Sequence, residues 1–293
     1  MANSNKTNDN IGEIYRNFRK SKGFSQFDAS YGTISVSQLS SFENGNSGLS
    51  VKNFLSILQN INVTTFEFEY AYNKTLNSTD ELLYSMQISE AFLSHNIRKL
   101  KSISKDIDNS IKKSPQKTKY KLDKISVEAV IAILDKDYIV KKENIIYIRN
   151  YLLEIKEWGK FEILLLGRCI AIFDAVTLSI LAHNMINPIQ ITSNLHYTKH
   201  STVQTLLTLI STFIEQKQFG LALEFIEFLE NINIAEYHMY DKLTLKYNKA
   251  LLRYKQGDIS ALVELEKCQE ILEYTDCFKT ATIVDEELKL LNN

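Results

Sequence analysis

The sequence predicts an all-α protein, a small helical bundle followed by a longer run of helical repeats. Three observations carry this. Only two prolines and nine glycines occur in 293 residues, too few turn residues for a sheet-rich fold. Apolar residues make up 44% of the chain, enough for a real core. They recur at helical spacing in segment after segment.

In the first block, Ile11, Ile14, Tyr15 and Phe18 form one apolar face, with Arg16, Arg19, Lys20 and Lys22 assigned to the other. Gly23 fits a C-cap and Ser25 an N-cap for a second helix through Phe27 and Ala29. A third short helix spans about Ser35 to Glu43, with Leu39 and Phe42 inward. Asn44-Gly45-Asn46 is a turn signal. Ser50 caps a fourth helix with Leu55 and Leu58 inward, and Phe66 and Phe68 close the block. The domain expectation is 1–70 for this bundle, 71–80 for a polar linker and 81–293 for the repeats.

From Glu81 onward the pattern reads as antiparallel helix pairs, starting with one helix from Leu82 to Ile103. Loops are marked by Gly159, Pro188, Gly220 and Gly257. Each pair is too small to bury its own apolar face and must stack on its neighbours. "QKQFGLALEFIEFLE" and "YKQGDISALVELEKCQEIL" share a turn followed by Ala and Leu at helical spacing, a faint internal repeat.

Charge and motifs exclude several classes. The formal net charge is −1, so any electrostatic function needs a local patch. The polar start MANSNKTNDN is not a signal peptide. The greasiest stretch, Phe161 to His183, is broken by Glu162, Arg168 and Asp174, which argues against a membrane span. Three widely spaced cysteines (Cys169, Cys268, Cys277) without CxxC fit buried thiols in a reducing cytoplasm. Arg98 to Lys124 holds ten Lys/Arg against three Asp/Glu; it reads as the solvated tip of a hairpin turning at Pro115, with a second charged binding patch as the sharper alternative. His196 and His200 have metal-compatible spacing, but their stretch reads as a loop with surface histidines. No P-loop, GxSxG, HExxH or GxGxxG occurs. The expectation is a non-enzyme with no cofactor and no metal.

The segment SVSQLSSFENGNSGLS is polar without being a linker. If Leu39 and Phe42 face inward, Ser37, Gln38 and Ser41 face out, as a recognition helix in the major groove requires. A solvated face without a DNA role is the plain alternative. IGEIYRNFRKSKGFSQFDAS, SQLSSFENG and SVKNFLSILQNINVTTFEF resemble the lambda-repressor-like helix-turn-helix, in the version found in the Rgg/GadR/MutR family of bacterial regulators. YLLEIKEWGKFEILLLGRC, with Trp158 and Glu162, and YKQGD resemble that family's tetratricopeptide-like domain.

The resemblance implies a cytoplasmic homodimeric regulator reading an inverted repeat in double-stranded DNA, controlled by a short signalling peptide in the concave face of the repeats. It implies DNA contacts from Arg16, Arg19, Ser25, Gln26, Ser35, Ser37, Gln38 and Ser41. Peptide contacts are expected of Arg168, Thr208, Gln204 and Tyr151. Arg168, in an apolar helix, needs an anionic partner; Asp174, Glu162 or a ligand carboxylate would serve. The chain departs from the family where Ser41 and Asn44 stand in place of arginines, where Gly45 replaces a cysteine of some relatives, and where Ala171 and Thr208 replace an arginine and an asparagine. Residues 1–66 carry only six Lys/Arg against four Asp/Glu. A repeat scaffold with a vestigial helix-turn-helix is the rival reading.

Overall fold

Most of the helices expected from spacing and caps form, and no strand occurs among the described residues. The computed structural model describes residues 11–75, 81–113, 116, 118–186, 196–232 and 234–291. Pro115 and Pro188, expected at turns, lie outside these. The chain divides into two compact units, Met1–Gln87 and Ile88–Asn293.

The first unit contains α1 (Ile11–Ser21), α2 (Gln26–Ser30), α3 (Val36–Glu43), α4 (Val51–Asn60) and α5 (Thr65–Thr75). Serine hydroxyls start three of them: Ser25 accepts from the Asp28 amide, Ser35 from Gln38 and Ser50 from Asn53. Each satisfies a backbone donor that the helix leaves open. Ile14, Tyr15, Leu39, Phe42, Ile57, Leu58, Ile61 and Phe68 build the core. Helices α1 and α3 cross with backbone nearly in contact. A Cβ on Gly12 would lie 1.9 Å from the Phe42 carbonyl oxygen, so only glycine fits. Gly45 (φ 72) takes the left-handed position that ends α3, its amide bonding Phe42 O and the next amide bonding Ser41 O.

Three expectations for this unit fail. Leu55 is 41% exposed, because α4 turns Ile57 and Leu58 to the core instead. Phe66 is half exposed and Phe68 alone buries. The expected linker at 71–80 is helical through Thr75, since α5 runs on to that residue.

The second region is a succession of helical hairpins: α6 (Glu81–Leu93), α7 (Ile97–Lys113), α8 (Thr118–Leu134), α9 (Lys142–Glu154), α10 (Lys160–Cys169), α11 (Ala175–Met185), α12 (His196–Glu215), α13 (Phe219–Asn231), α14 (Met239–Lys255), α15 (Leu262–Tyr274) and α16 (Phe278–Leu291). The single helix expected from Leu82 to Ile103 is two, parted by a left-handed residue at His95 (φ 50). The loop expected around His200 is helix, the first turns of α12. One continuous apolar core runs from Leu122 to Leu288 and includes Trp158, Phe213 and Phe225. Trp158 is thus core packing between hairpins. The two faint repeats are the turns α12–α13 and α14–α15. In both, a left-handed residue (Lys217, φ 58; Gly257, φ 104) closes the helix, and the following amide reaches back to Phe213 O and Arg253 O.

Candidate DNA interface and peptide-binding face

The outward face of α3 is as polar as its sequence promises. Leu39 and Phe42 are buried, while Ser35, Ser37 and Gln38 are exposed and Ser41 is half-buried. Ser35 spends its hydroxyl on the helix cap and on Ser37, 3.0 Å away. The Gln38 side-chain amide makes no hydrogen bond among the described residues. Ser25 holds α2 through a reciprocal cap with Asp28. Ser35 and Ser25 therefore have structural duties that compete with any contact to phosphate.

Arg19 is not on the solvent face, as expected, but buried. Its Nε lies 2.5 Å from Glu43 Oε1 and its Nη2 donates to Oε2 at 2.8 Å, a two-pronged pair across α1 and α3. Nη1 donates to the Phe24 carbonyl. Glu43 is only 2% exposed. Gln26, another expected DNA contact, donates its side-chain amide to the same carboxylate at 2.8 Å. Burial alone would raise the Glu43 carboxyl. The Arg19 and Gln26 hydrogen bonds, with the charges of Arg19 and Arg16, outweigh burial and hold it below its ordinary value. Arg19 and Gln26 thus fix α2 and α3 rather than present charge.

Arg16 is half-buried, and its guanidinium lies 3.4 Å from Asn44 Oδ1. Lys22 bonds the Asn62 carbonyl at 2.6 Å. Two residues outside the sequence expectation are also displayed: Val36 (40% exposed) in the first turn of α3, and the exposed Lys52 in the first turn of α4. The signal for both is their position just after the capping serines.

In the second unit, Gln204 and Thr208 are both exposed, one turn apart on α12. Thr208 returns its hydroxyl to the Gln204 carbonyl. Helix α10 crosses α12 closely: a Cβ on Gly167 would lie 3.2 Å from Thr205 Oγ1, whose hydroxyl donates to Ile163 O. Half-buried Arg168 and exposed Gln204 are each one residue from this crossing. Tyr151 is engaged elsewhere: its hydroxyl donates to Glu162 Oε1 at 2.8 Å. Burial, then that carboxylate, raise its pKa. The two carboxylates expected to serve Arg168 have local roles. Glu162 also accepts from the Gly159 amide, and Asp174 caps α11 through the Thr177 amide.

Cys169 and Cys268 are buried. Burial pushes the Cys169 thiol up to about 12, which makes it inert. Cys277, expected to be buried, is only partly so. Of the basic stretch, Lys101, Lys119 and Lys124 meet Asp135, Asp123 and Asp108, and Lys121 lies over the Tyr147 ring. These partners favour a solvated hairpin over a charged binding patch. No described helix is long and apolar enough to cross a membrane.

A helix-turn-helix unit followed by stacked helical hairpins is an architecture found among transcription regulators. Residues 104–286 match the family model described as "HTH-type transcriptional regulator Rgg, C-terminal domain". The chain belongs to the Rgg family of transcriptional regulators.

Solved structures share the fold. The SHP pheromone receptor Rgg2 of Streptococcus dysgalactiae is 21% identical, with a TM-score of 0.73 over 95% of this chain and 98% of that one. A proposed transcriptional regulator of Listeria monocytogenes EGD-e is 17% identical, with a TM-score of 0.79 over 96% and 97%. PrgX in its complex with cCF10 is 16% identical, with a TM-score of 0.70 over 97% and 92%.

Proposed function

We propose that this regulator is a cytoplasmic homodimer that reads an inverted repeat in double-stranded DNA through α3 and is controlled by a short peptide bound to its helical repeats. The observation that carries the DNA reading is Gln38. Its amide is exposed and uncommitted, on a helix whose opposite face is locked by Leu39, Phe42 and Glu43. Glutamine pairs in two-pronged fashion with adenine N6 and N7. Ser37 and Ser41 flank it, Val36 offers an apolar contact for a thymine methyl, and Arg16 and Lys52 supply phosphate contacts. Two copies reading two half-sites compensate for the few cations.

Peptide control rests on the family and on the shared fold of receptors described as peptide pheromone complexes. In this chain Gln204, Thr208 and Arg168 are the candidate contacts. Tyr151 would contribute by positioning Glu162. A peptide that favours one pre-existing arrangement of the dimer would shift DNA occupancy by its differential affinity for that arrangement. The rival, a scaffold with an inert helix-turn-helix, draws on the loss of Arg19 from the surface.

Selection from a random duplex pool by the full-length protein separates them. Enrichment of an inverted repeat is expected. Gln38→Ala should relax one position of each half-site, at a cost of about 1–3 kcal/mol in discrimination. Lys52→Ala should weaken all sequences alike and lower the salt slope by about one. No enriched sequence, with or without candidate peptides, would sink the DNA reading.

A further inference from the structure

Three polar side chains converge in the second unit, one helical turn before Gln204 of α12. His200 sits in the first turns of α12. His238 is the residue before α14, and Asp241 lies in that helix's first turn. Asp241 Oδ2 is 3.1 Å from His200 Nδ1 and 3.8 Å from His238 Nδ1. One donor atom from each of the three lies within 4.8 Å of the other two. Asp241 is 3% exposed. Both its Oδ2 and His200 Nδ1 are shielded from water, and neither completes a hydrogen bond. A buried carboxylate oxygen facing a buried imidazole nitrogen without a proton aligned between them is costly. A cation bound to both removes that cost.

We propose that His200, His238 and Asp241 form a site for a divalent transition metal of the zinc class. Two imidazoles and one carboxylate are donors of zinc type, and hard Ca²⁺ or Mg²⁺ would call for more oxygen. Metal–ligand distances of about 2.0–2.2 Å in a tetrahedron set donors roughly 3.3–3.6 Å apart, and the two carboxylate–imidazole separations, 3.1 and 3.8 Å, bracket that range. A cavity of about 60 Å³ opens onto the three residues, with Val203, Ile234, Ala235 and Lys199 as further walls. It has room for a water as fourth ligand. Lys199 is an exposed residue at the edge of that cavity.

One rearrangement is needed. The two imidazoles stack, with centroids 4.2 Å apart and planes at 19°. Lone pairs lie in the ring planes, so parallel rings cannot both aim at one ion. His238 precedes the helix, with non-helical backbone (φ −88, ψ 50), and is the ring placed to turn. Occupancy then ties the start of α14 to α12, the helix that displays Gln204 and Thr208.

The test is calorimetric titration of chelator-stripped, full-length protein with zinc chloride, and with cobalt(II) for its visible spectrum. One ion per chain is expected, with the intense bands of tetrahedral cobalt. His200→Ala and His238→Ala should each abolish binding while leaving the circular dichroism unchanged. Asp241→Asn should do so too, but its burial risks the fold, so His238→Ala decides. His196→Ala and Cys277→Ser should bind as the wild type does. Failure of the wild type to bind, survival of binding in His238→Ala, or its loss in either control would overturn the site.

Discussion

The two units are held together by different physics. The first is small and specific. Its centre is a buried ion pair, Arg19–Glu43, beside a crossing at Gly12 so close that no side chain is tolerated. The second is large and diffuse, one apolar core threading hairpin after hairpin, with no single contact dominating. The base-reading role proposed for α3 would need helices held in one orientation. A two-pronged charged pair fixes orientation in a way that interchangeable apolar contacts do not. A repeat unit has less need of this, since each hairpin registers only on its neighbours.

The largest effect should follow from breaking the pair on one side. Glu43→Ala leaves Arg19 buried without its partner and frees Gln26. It should cost the first unit about 3–5 kcal/mol, seen as loss of its melting transition while the second unit's is unchanged. Replacing both, Arg19→Met with Glu43→Leu, should recover most of that stability but loosen the placement of α3. If the double variant also kept full DNA discrimination, orientation would not depend on the pair. The same carboxylate sets a pH signature. Its folded pKa is depressed, so its contribution is complete above the unfolded carboxylate value of about 4.3. That contribution is lost as pH falls through the folded value. On acidification the first unit should therefore lose stability as Glu43 takes up its proton, and Glu43→Gln should reduce that pH dependence.

Gly12→Ala probes the other half of the contrast. The added methyl would meet carbonyl oxygen and carbonyl carbon of Phe42 at 1.9 and 2.7 Å, and backbone cannot step aside as a flexible side chain can. A loss of about 3 kcal/mol is expected in the first unit. Hydrogen exchange across α1 and α3 would show it. A variant as stable as wild type would mean that the two helices can separate freely, against the picture of a rigid reading head.

How much of this was legible follows the same division. The helices of the first unit can be read from local chemistry: Ser25 and Ser50 as caps, Gly23 as a stop, Leu39 and Phe42 as the inward face of α3. What cannot be read locally is the pairing of Arg19 with Glu43, 24 residues apart. Yet each lies four residues after a core residue, Arg19 after Tyr15 and Glu43 after Leu39, and therefore on the same helix face. Two opposite charges at core positions are the signal of a buried pair, and grouping basic residues by sign hides it. In the second unit, helices are legible as periodicity but their ends are not. Its metal-type cluster joins segments some forty residues apart, beyond the reach of any spacing rule.

The turns show why the repeat is so faint. Among the described residues, the left-handed positions of the first unit are Gly23, Gly32, Gly45 and Asn62, residue types that announce a turn. Those of the second are His95, Lys217, Asp276 and Gly257. Lys217 and Gly257 occupy equivalent places after α12 and α14, with the same backward hydrogen bonds, so one turn pattern is written in two unlike residues, at φ 58 and φ 104. A side chain there costs about 1–2 kcal/mol against glycine, while glycine's greater freedom in the unfolded chain takes back about 0.4–1. Lys217→Gly should then stabilise the second unit by roughly 0.5–1 kcal/mol, a small upward shift of its melting transition alone. Gly257→Lys should lower the same transition by more, because the φ of 104 there lies farther from the left-handed values a side chain can adopt. If both substitutions destabilise, Lys217 has a role beyond the turn, and the two hairpins are not the equivalent units that their backbones suggest.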